Sequence, residues 1–429
     1  MTRLIRSRTT ANTGRDLDVR LGLTANLSQF ILLAIVNFFV GGMVGLERTV
    51  TPLVGSEHFH LSELAIAAFV VVFGFTKAIT NAVGGAIIGR HTRKTILVAG
   101  WLIGLPVPFM LAYGPSWAWV IVANVLLGVN QGLTWSMTVN MKIDLIGPGR
   151  RGFALGINET AGYLGVAVTA LVTGYLATWF GLRPAPELLG AGYAIAGLAL
   201  SILAIRDTAP WASAEALQHP RQAGPQPPFW EIARRVSWTD RTLAAVSQAG
   251  LVNNLNDGLV WVVLPVLLVH NGVSVTGVGY IKALYPFMWA VGMIGTGHLA
   301  DRIGRKVPIV AGMLIQAIGL AVTTVGISHA LAAGLTGAFL LGVGTSLVYP
   351  TLLAAISDAT HPDWRAAALG VYRFWRDAGY ALGALIGGIT AALASLDAAI
   401  AVAAFLTAIS AFLAWTFMRE THPAASRMV

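Results

Sequence analysis

Gly297-His298-Leu299-Ala300-Asp301-Arg302-Ile303-Gly304-Arg305-Lys306 is a short basic turn between two long apolar runs. An altered copy, Gly85-Ala86-Ile87-Ile88-Gly89-Arg90-His91-Thr92-Arg93-Lys94, precedes it by 212 residues, half the length of the 429-residue chain, so the sequence reads as two copies of one unit. The repeat extends past the turn at an offset of 214. Leu127-Gly128-Val129 matches Leu341-Gly342-Val343, Asp144 matches Asp358, and Arg151 with Leu155-Gly156 matches Arg365 with Leu369-Gly370.

Hydrophobic residues make up 56% of the chain and charged residues 11%, against roughly 25% charged in soluble domains. This is the composition of an all-α membrane protein. Twelve apolar runs are long enough to cross a hydrocarbon core, which takes about 20 helical residues: 29–50, 62–88, 95–113, 117–143, 153–180 and 187–206, then 241–269, 275–299, 307–327, 331–357, 367–393 and 398–418. They group as a basic tail (1–28), a six-helix bundle (29–206), a linker (207–240), a second six-helix bundle (241–418) and a short tail (419–429). The first tail lacks an apolar segment followed by a small-residue cleavage site, and reads as a tail, not a cleaved signal. Pro220, Pro225, Pro227 and Pro228 break any long helix in the linker, which reads as a tether. Its end, Phe229 to Trp238, alternates aromatic and basic residues as a short helix lying on a membrane surface does.

Most of the 28 Lys and Arg residues fall in the two tails, the linker and the turns near 90, 150, 302 and 365, while the opposite loops hold Arg183, with Arg48 near a helix end. The positive-inside rule then puts both termini in the cytoplasm, in a cell (inner) membrane. The net charge of +9 is scattered over short loops and forms no basic face for nucleic acid. The chain has no cysteine, which excludes disulfides, thiol nucleophiles and Cys-based metal sites. No phosphate-binding loop or hydrolase signature occurs, so neither ATP-driven work nor an enzyme is expected, and no cofactor or resident metal is implied.

Two six-helix units in parallel repeat, joined to the quoted turn, resemble the major facilitator superfamily of secondary transporters over residues 29–418. The turn matches that family's signature between helices 2 and 3 at Gly297, Asp301, Arg302, Gly304, Arg305 and Lys306. The first copy departs from it, with Gly89 in place of the acid and Thr92 in place of the second glycine. The resemblance implies a gate in which Asp301 faces the start of the fifth helix near Gly152 and Phe153, and Arg302 or Arg305 pairs with Asp358. In the first half it implies a pair between Arg90 or Arg93 and Asp144. It also implies alternating access, a small-molecule substrate, a monomer in the lipid bilayer, and a cavity between the halves.

Charges at membrane depth are expensive and mark function. In the eleventh run Arg373, Arg376, Asp377 and Tyr380 share one helical face, and in the fifth Glu159 shares a face with Tyr163. An ion pair of Arg373 with Asp377 would merely hold helices together. Two arginines against one aspartate instead favour an anionic or polar solute, bound by Arg373, Arg376, Lys77, Tyr380, Tyr163 and Asn254. Asp257, in the polar stretch Asn253-Asn254-Leu255-Asn256-Asp257-Gly258, reads as a lone carboxylate. It and Glu159 are the two candidates for carrying a coupled proton. Lys77 and Asp377 lie at similar depth on helices that face each other in the family, and are expected to pair between the halves. The reading is a proton-coupled secondary transporter. Its alternatives are multidrug efflux, a non-transporting sensor or scaffold, and metal transport. The last is implied by a second resemblance, of Lys142-Ile143-Asp144-Leu145 and Gly156-Ile157-Asn158-Glu159, to facilitator-type proteins of magnetosome membranes.

Overall fold

The computed structural model describes residues 19–61, 63–88, 90–217 and 227–422. Among them are twelve long helices: α1 (Leu27–Leu53), α2 (Glu63–Ile87), α3 (Arg93–Gly104 and Val107–Tyr113), α4 (Trp117–Ile146), α5 (Arg151–Phe180), α6 (Ala185–Leu203), α7 (Arg241–His270), α8 (Val275–Ile303), α9 (Lys306–Val325), α10 (Ala330–Ala359), α11 (Pro362–Leu393) and α12 (Leu396–Phe417). α3 breaks at Pro106, whose ring removes a backbone donor. α11 begins five residues before the apolar run does, because Pro362 stands in its first turn and His361 caps it by accepting from the Asp363 N–H. The outer faces are apolar: α12 turns Phe405, Ile409, Phe412 and Trp415 outward and buries Ala403, Thr407, Ser410 and Ala414. Small residues inside and bulky ones outside are what close helix packing in lipid requires.

The halves meet through α2 against α11 and α5 against α8. Both crossings need glycine at the basic end of the bundle. A Cβ on Gly297 would lie 2.4 Å from the Gly152 carbonyl, and one on Gly370 2.6 Å from that of Asn81. The basic end is therefore shut.

An ion network holds it shut. Asp301 accepts from the N–H groups of Gly152 (2.9 Å) and Phe153 (2.8 Å), at the start of α5 in the other half. Arg305 donates to Asp301 (2.7 Å) and to Asp358 (2.9 Å), while Arg302 points outward, exposed. Asp358 also accepts from Arg151 across the interface (2.7 Å). Gly304 takes a positive φ of 95°, a backbone state natural to glycine, and the Glu420 carboxylate then caps the N–H groups of Arg305 and Lys306. In the first copy Gly89 lies outside the described residues. Thr92 does without the glycine by acting as the N-cap of α3, accepting from the Thr95 N–H. Arg93 sits 2.6 Å from Asp144, to which Thr208 also donates, whereas Arg90 is exposed.

The linker is more than a tether. Pro210 opens a short helix, Ala209–Ala216, and a second, Phe229–Arg234, follows Pro228; Pro220 and Pro225 lie outside the described residues. Glu215 of the first helix is fully buried. Both Arg151 and Arg365, which occupy the same place in the two repeats, donate to its carboxylate. One linker side chain thus clamps both halves. Burial pushes the Glu215 carboxyl up, but Arg151 and then Arg365 outweigh it and hold it below the usual carboxylate range. A depressed carboxyl stabilises the clamped form fully above its ordinary range, and that contribution is lost as pH falls through the depressed value. Removing one partner of a buried pair costs about 3–5 kcal/mol. Glu215→Gln should accordingly raise thiol labelling of an Ala367→Cys reporter, at the α2–α11 crossing, by ~10-fold or more at neutral pH. With Glu215 intact, labelling should rise only on strong acidification. Equal labelling with and without the charge would dismiss the clamp.

Candidate functional site

Above the closed end, α2 and α11 bring their charges together at mid-helix. Lys77 Nζ stands 3.9 Å from Asp377 Oδ2, and Asn81 donates to the same oxygen (2.7 Å) while accepting from Ser136 (2.7 Å). Arg376 donates to the other oxygen at 3.0 Å. Arg373 shares the face of Asp377 but does not pair with it, because side chains from α2 and the adjacent Arg376 occupy both carboxylate oxygens. Arg373 Nη1 and Arg376 Nε have no acceptor among the described residues. The internal Arg373–Asp377 pair considered from spacing alone is thus replaced by a pair that crosses the halves.

The cations rest on rings. The Arg376 guanidinium lies 3.9 Å from the centre of the Tyr349 ring, and Lys77 Nζ 5.3 Å from that of Trp135, distances at which a cation is drawn to the π-face. Trp135 and Tyr349 are separated by the repeat offset of 214. That aromatic match was the sequence signal for two residues that the charge-based reading passed over. Tyr163 joins them: its ring centre is 5.6 Å from Trp135 and 4.1 Å from Trp289, which is 6.0 Å from Tyr349. A continuous aromatic wall therefore runs from one half to the other. Further out, Arg48 is 29% exposed and lies over Phe73 at 4.8 Å, and exposed Lys282 lies over Trp261. Tyr380 is partly exposed on the same side as Arg48.

Two acids and an amide take positions that spacing did not foretell. Asp257 is no lone carboxylate: the Tyr285 hydroxyl donates to it and sits 3.3 Å from Thr345. Glu159, 0% exposed, accepts from Trp135 Nε1 (3.1 Å) and from the Asn158 amide (2.9 Å). Asn254 donates to the Arg376 backbone carbonyl (2.9 Å), so its amide N–H braces α7 against α11.

Comparison with known proteins agrees with this architecture. The family model described as Major Facilitator Superfamily matches residues 30–255 and 246–427. An uncharacterized MFS-type transporter, STM4428, of Salmonella typhimurium is 25% identical over 81% of this chain and 85% of its own. A multi-drug resistance efflux pump PmrA homolog of Lactococcus lactis is 22% identical over 89% of this chain and 92% of its own. Among solved structures, the proton:xylose symporter XylE bound to a bromodeoxyglucose shares the fold at a TM-score of 0.75 and 14% identity, over 94% of this chain and 99% of that one.

Asp377 compensates two cations at once, which orders the expected effects of substitution. Asp377→Asn strands both Lys77 and Arg376 and should cost about 3–5 kcal/mol. Lys77→Gln leaves Asp377 with Arg376 and Asn81, and should cost less. The double variant should fall short of the sum by ~0.5–3 kcal/mol in a thermal-denaturation cycle; strict additivity would show that the two side chains do not interact.

Proposed function

The chain belongs to the Major Facilitator Superfamily, and from that premise we propose that it is a proton-coupled transporter of a small anionic or polar solute, working by alternating access as a monomer in the inner membrane with both termini in the cytoplasm. The observation that carries this reading is the central cation cluster. Lys77 feels Arg373 and Arg376 across the interface, and one carboxylate, Asp377, pairs with Lys77 and Arg376. Unfilled guanidinium N–H groups between the halves suit an anion, whose charge-assisted bonds to arginine are strong and bidentate. In the shut arrangement of the basic end, solute enters from the opposite side, past Arg48 and Lys282. Opening the clamp then exposes it to the basic end. Of the two acids, Glu159 is the proton carrier in this reading: it touches Trp135, on which Lys77 rests, whereas Asp257 is bonded to Tyr285. The aromatic wall supports a second reading, multidrug efflux, the activity named for the Lactococcus relative.

A thermal-shift screen separates the two. Organic carboxylates, phosphates and sulfonates should stabilise the wild type. Arg376→Ala and Arg376→Lys should each weaken that effect ~10–100-fold, the worth of a hydrogen bond between charged groups. Stabilisation by lipophilic cations alone, insensitive to Arg376, would favour efflux of drugs instead.

Coupling is tested with the stabilising solute in liposomes. Glu159→Gln should retain solute exchange and lose accumulation driven by a pH gradient, since an amide hydrogen-bonds but carries no proton. Asp257→Asn should keep gradient-driven accumulation. The reverse result would transfer the role to Asp257.

A further inference from the structure

A buried charge lies beyond the central site. Lys142 of α4 is 0% exposed, inside a helix that crosses the membrane. Its ammonium donates to the Asn158 amide oxygen at 2.5 Å and lies 5.6 Å from the Phe30 ring centre. That same amide donates through its nitrogen to Glu159 (2.9 Å), and the Asn158 backbone carbonyl is tied to α1 by the Asn37 amide (2.7 Å). Asn158 thus stands fixed between an ammonium and a carboxylate, its oxygen toward the cation and its nitrogen toward the anion. The two segments that the sequence reading set side by side, around Lys142 and around Glu159, meet here.

The repeat builds the second six-helix unit without this lysine. At the offset of 214 the second half places Ile356 where the first has Lys142, Tyr372 where it has Asn158 and Arg373 where it has Glu159, and Ile356 is equally buried. A cation in the membrane interior costs about 2.5–3.5 kcal/mol or more unless compensated. Glu159 is the charged group that acts on Lys142. Glu159 acts as well on Lys77 of α2, Tyr163 of α5, Tyr349 of α10 and Tyr372 of α11, from the helices packed around it.

We infer that Lys142 is a positioning residue of a proton-binding site: bridged by the Asn158 amide, its ammonium keeps the Glu159 carboxylate ionised and so sets the proton affinity of that acid. A proton arriving from the central site binds a Glu159 carboxylate oxygen and forms the carboxylic acid. Lys142 is then an uncompensated cation, which drives the proton off again once the opposite gate admits water. One proton is bound and one released at Glu159 in each cycle. The role in transport rests on the proton-coupled reading above; the pairing stands without it.

The test needs no solute. In purified full-length protein, Lys142→Gln should leave Glu159 protonated at neutral pH. It should therefore show an infrared carboxylic-acid band that is absent from the wild type and from Lys142→Gln/Glu159→Gln. Lys142→Gln and Glu159→Gln should each lower the melting temperature, and the double variant, with no charge left to strand, should regain most of the loss. A double variant that melts at the sum of the single losses, with no Glu159-dependent acid band, would overturn the inference. If Lys142→Gln alone does not fold, recovery of folding in the double variant supports the pairing and failure of both overturns it. Wild-type liposomes loaded with pyranine report coupling separately. No proton entry with any organic anion would sink proton coupling while leaving the stability cycle and the infrared band to decide on the pair, so the two failures are distinguishable.

Discussion

A carboxylate placed on the open end of a helix is the contact on which this structure depends. The first N–H groups of α5 have no partner within their own helix and carry the positive end of its dipole, and Asp301 satisfies two of them from the other half. The contact demands close approach, which the glycines at 152 and 297 permit. It also demands that Asp301 be aimed, which Arg305 does while it reaches Asp358. Each member is buried or nearly so, so water does not compete for the charges and the network holds as a unit. The central site is cut off from the basic end because this end is shut.

The centre solves a different problem, how to keep cations available in a place where bare charge is costly. Pairing every arginine with an acid would satisfy the charge and leave nothing for a ligand. Here Arg376 and Lys77 lie on Tyr349 and Trp135. An aromatic face compensates a cation in part while leaving the edge of the guanidinium free to donate. Asp377 holds the remaining directions and ties both halves to the same carboxylate.

The helices were legible in the sequence because a span of lipid sets their length, and the observed ends differ from the apolar runs by a few residues where caps and prolines extend a helix into polar sequence, as at Pro362. The residues of the network at the closed end were legible because a signature fixes their spacing: Asp301, Arg305 and Asp358 stand together, though spacing does not tell which arginine of the turn reaches inward. Glu215 was not legible. It is one acid in a proline-rich linker, and its partners are 64 and 150 residues away. Asp257 looked isolated because Tyr285 lies on another helix. Lys142 looked like part of a motif, since neither hydropathy nor spacing reveals that an amide two helical turns into α5 faces it.

The two copies of the basic turn differ in where they anchor. Arg93 and Asp144 belong to the same half, with Thr208 of the linker beside them, so this contact can ride unchanged through any rocking of one half against the other. Under the alternating access proposed above, Asp301, which grips the opposite half, must let go. The asymmetry gives the molecule a fixed jaw and a moving one. Wear on the mechanism, in the sense of bonds broken and remade on each turnover, then falls on the second copy together with the Arg151 and Glu215 contacts that cross the same seam, and a lesion in the first copy is felt as looser assembly of one bundle without a change in the rhythm of the gate.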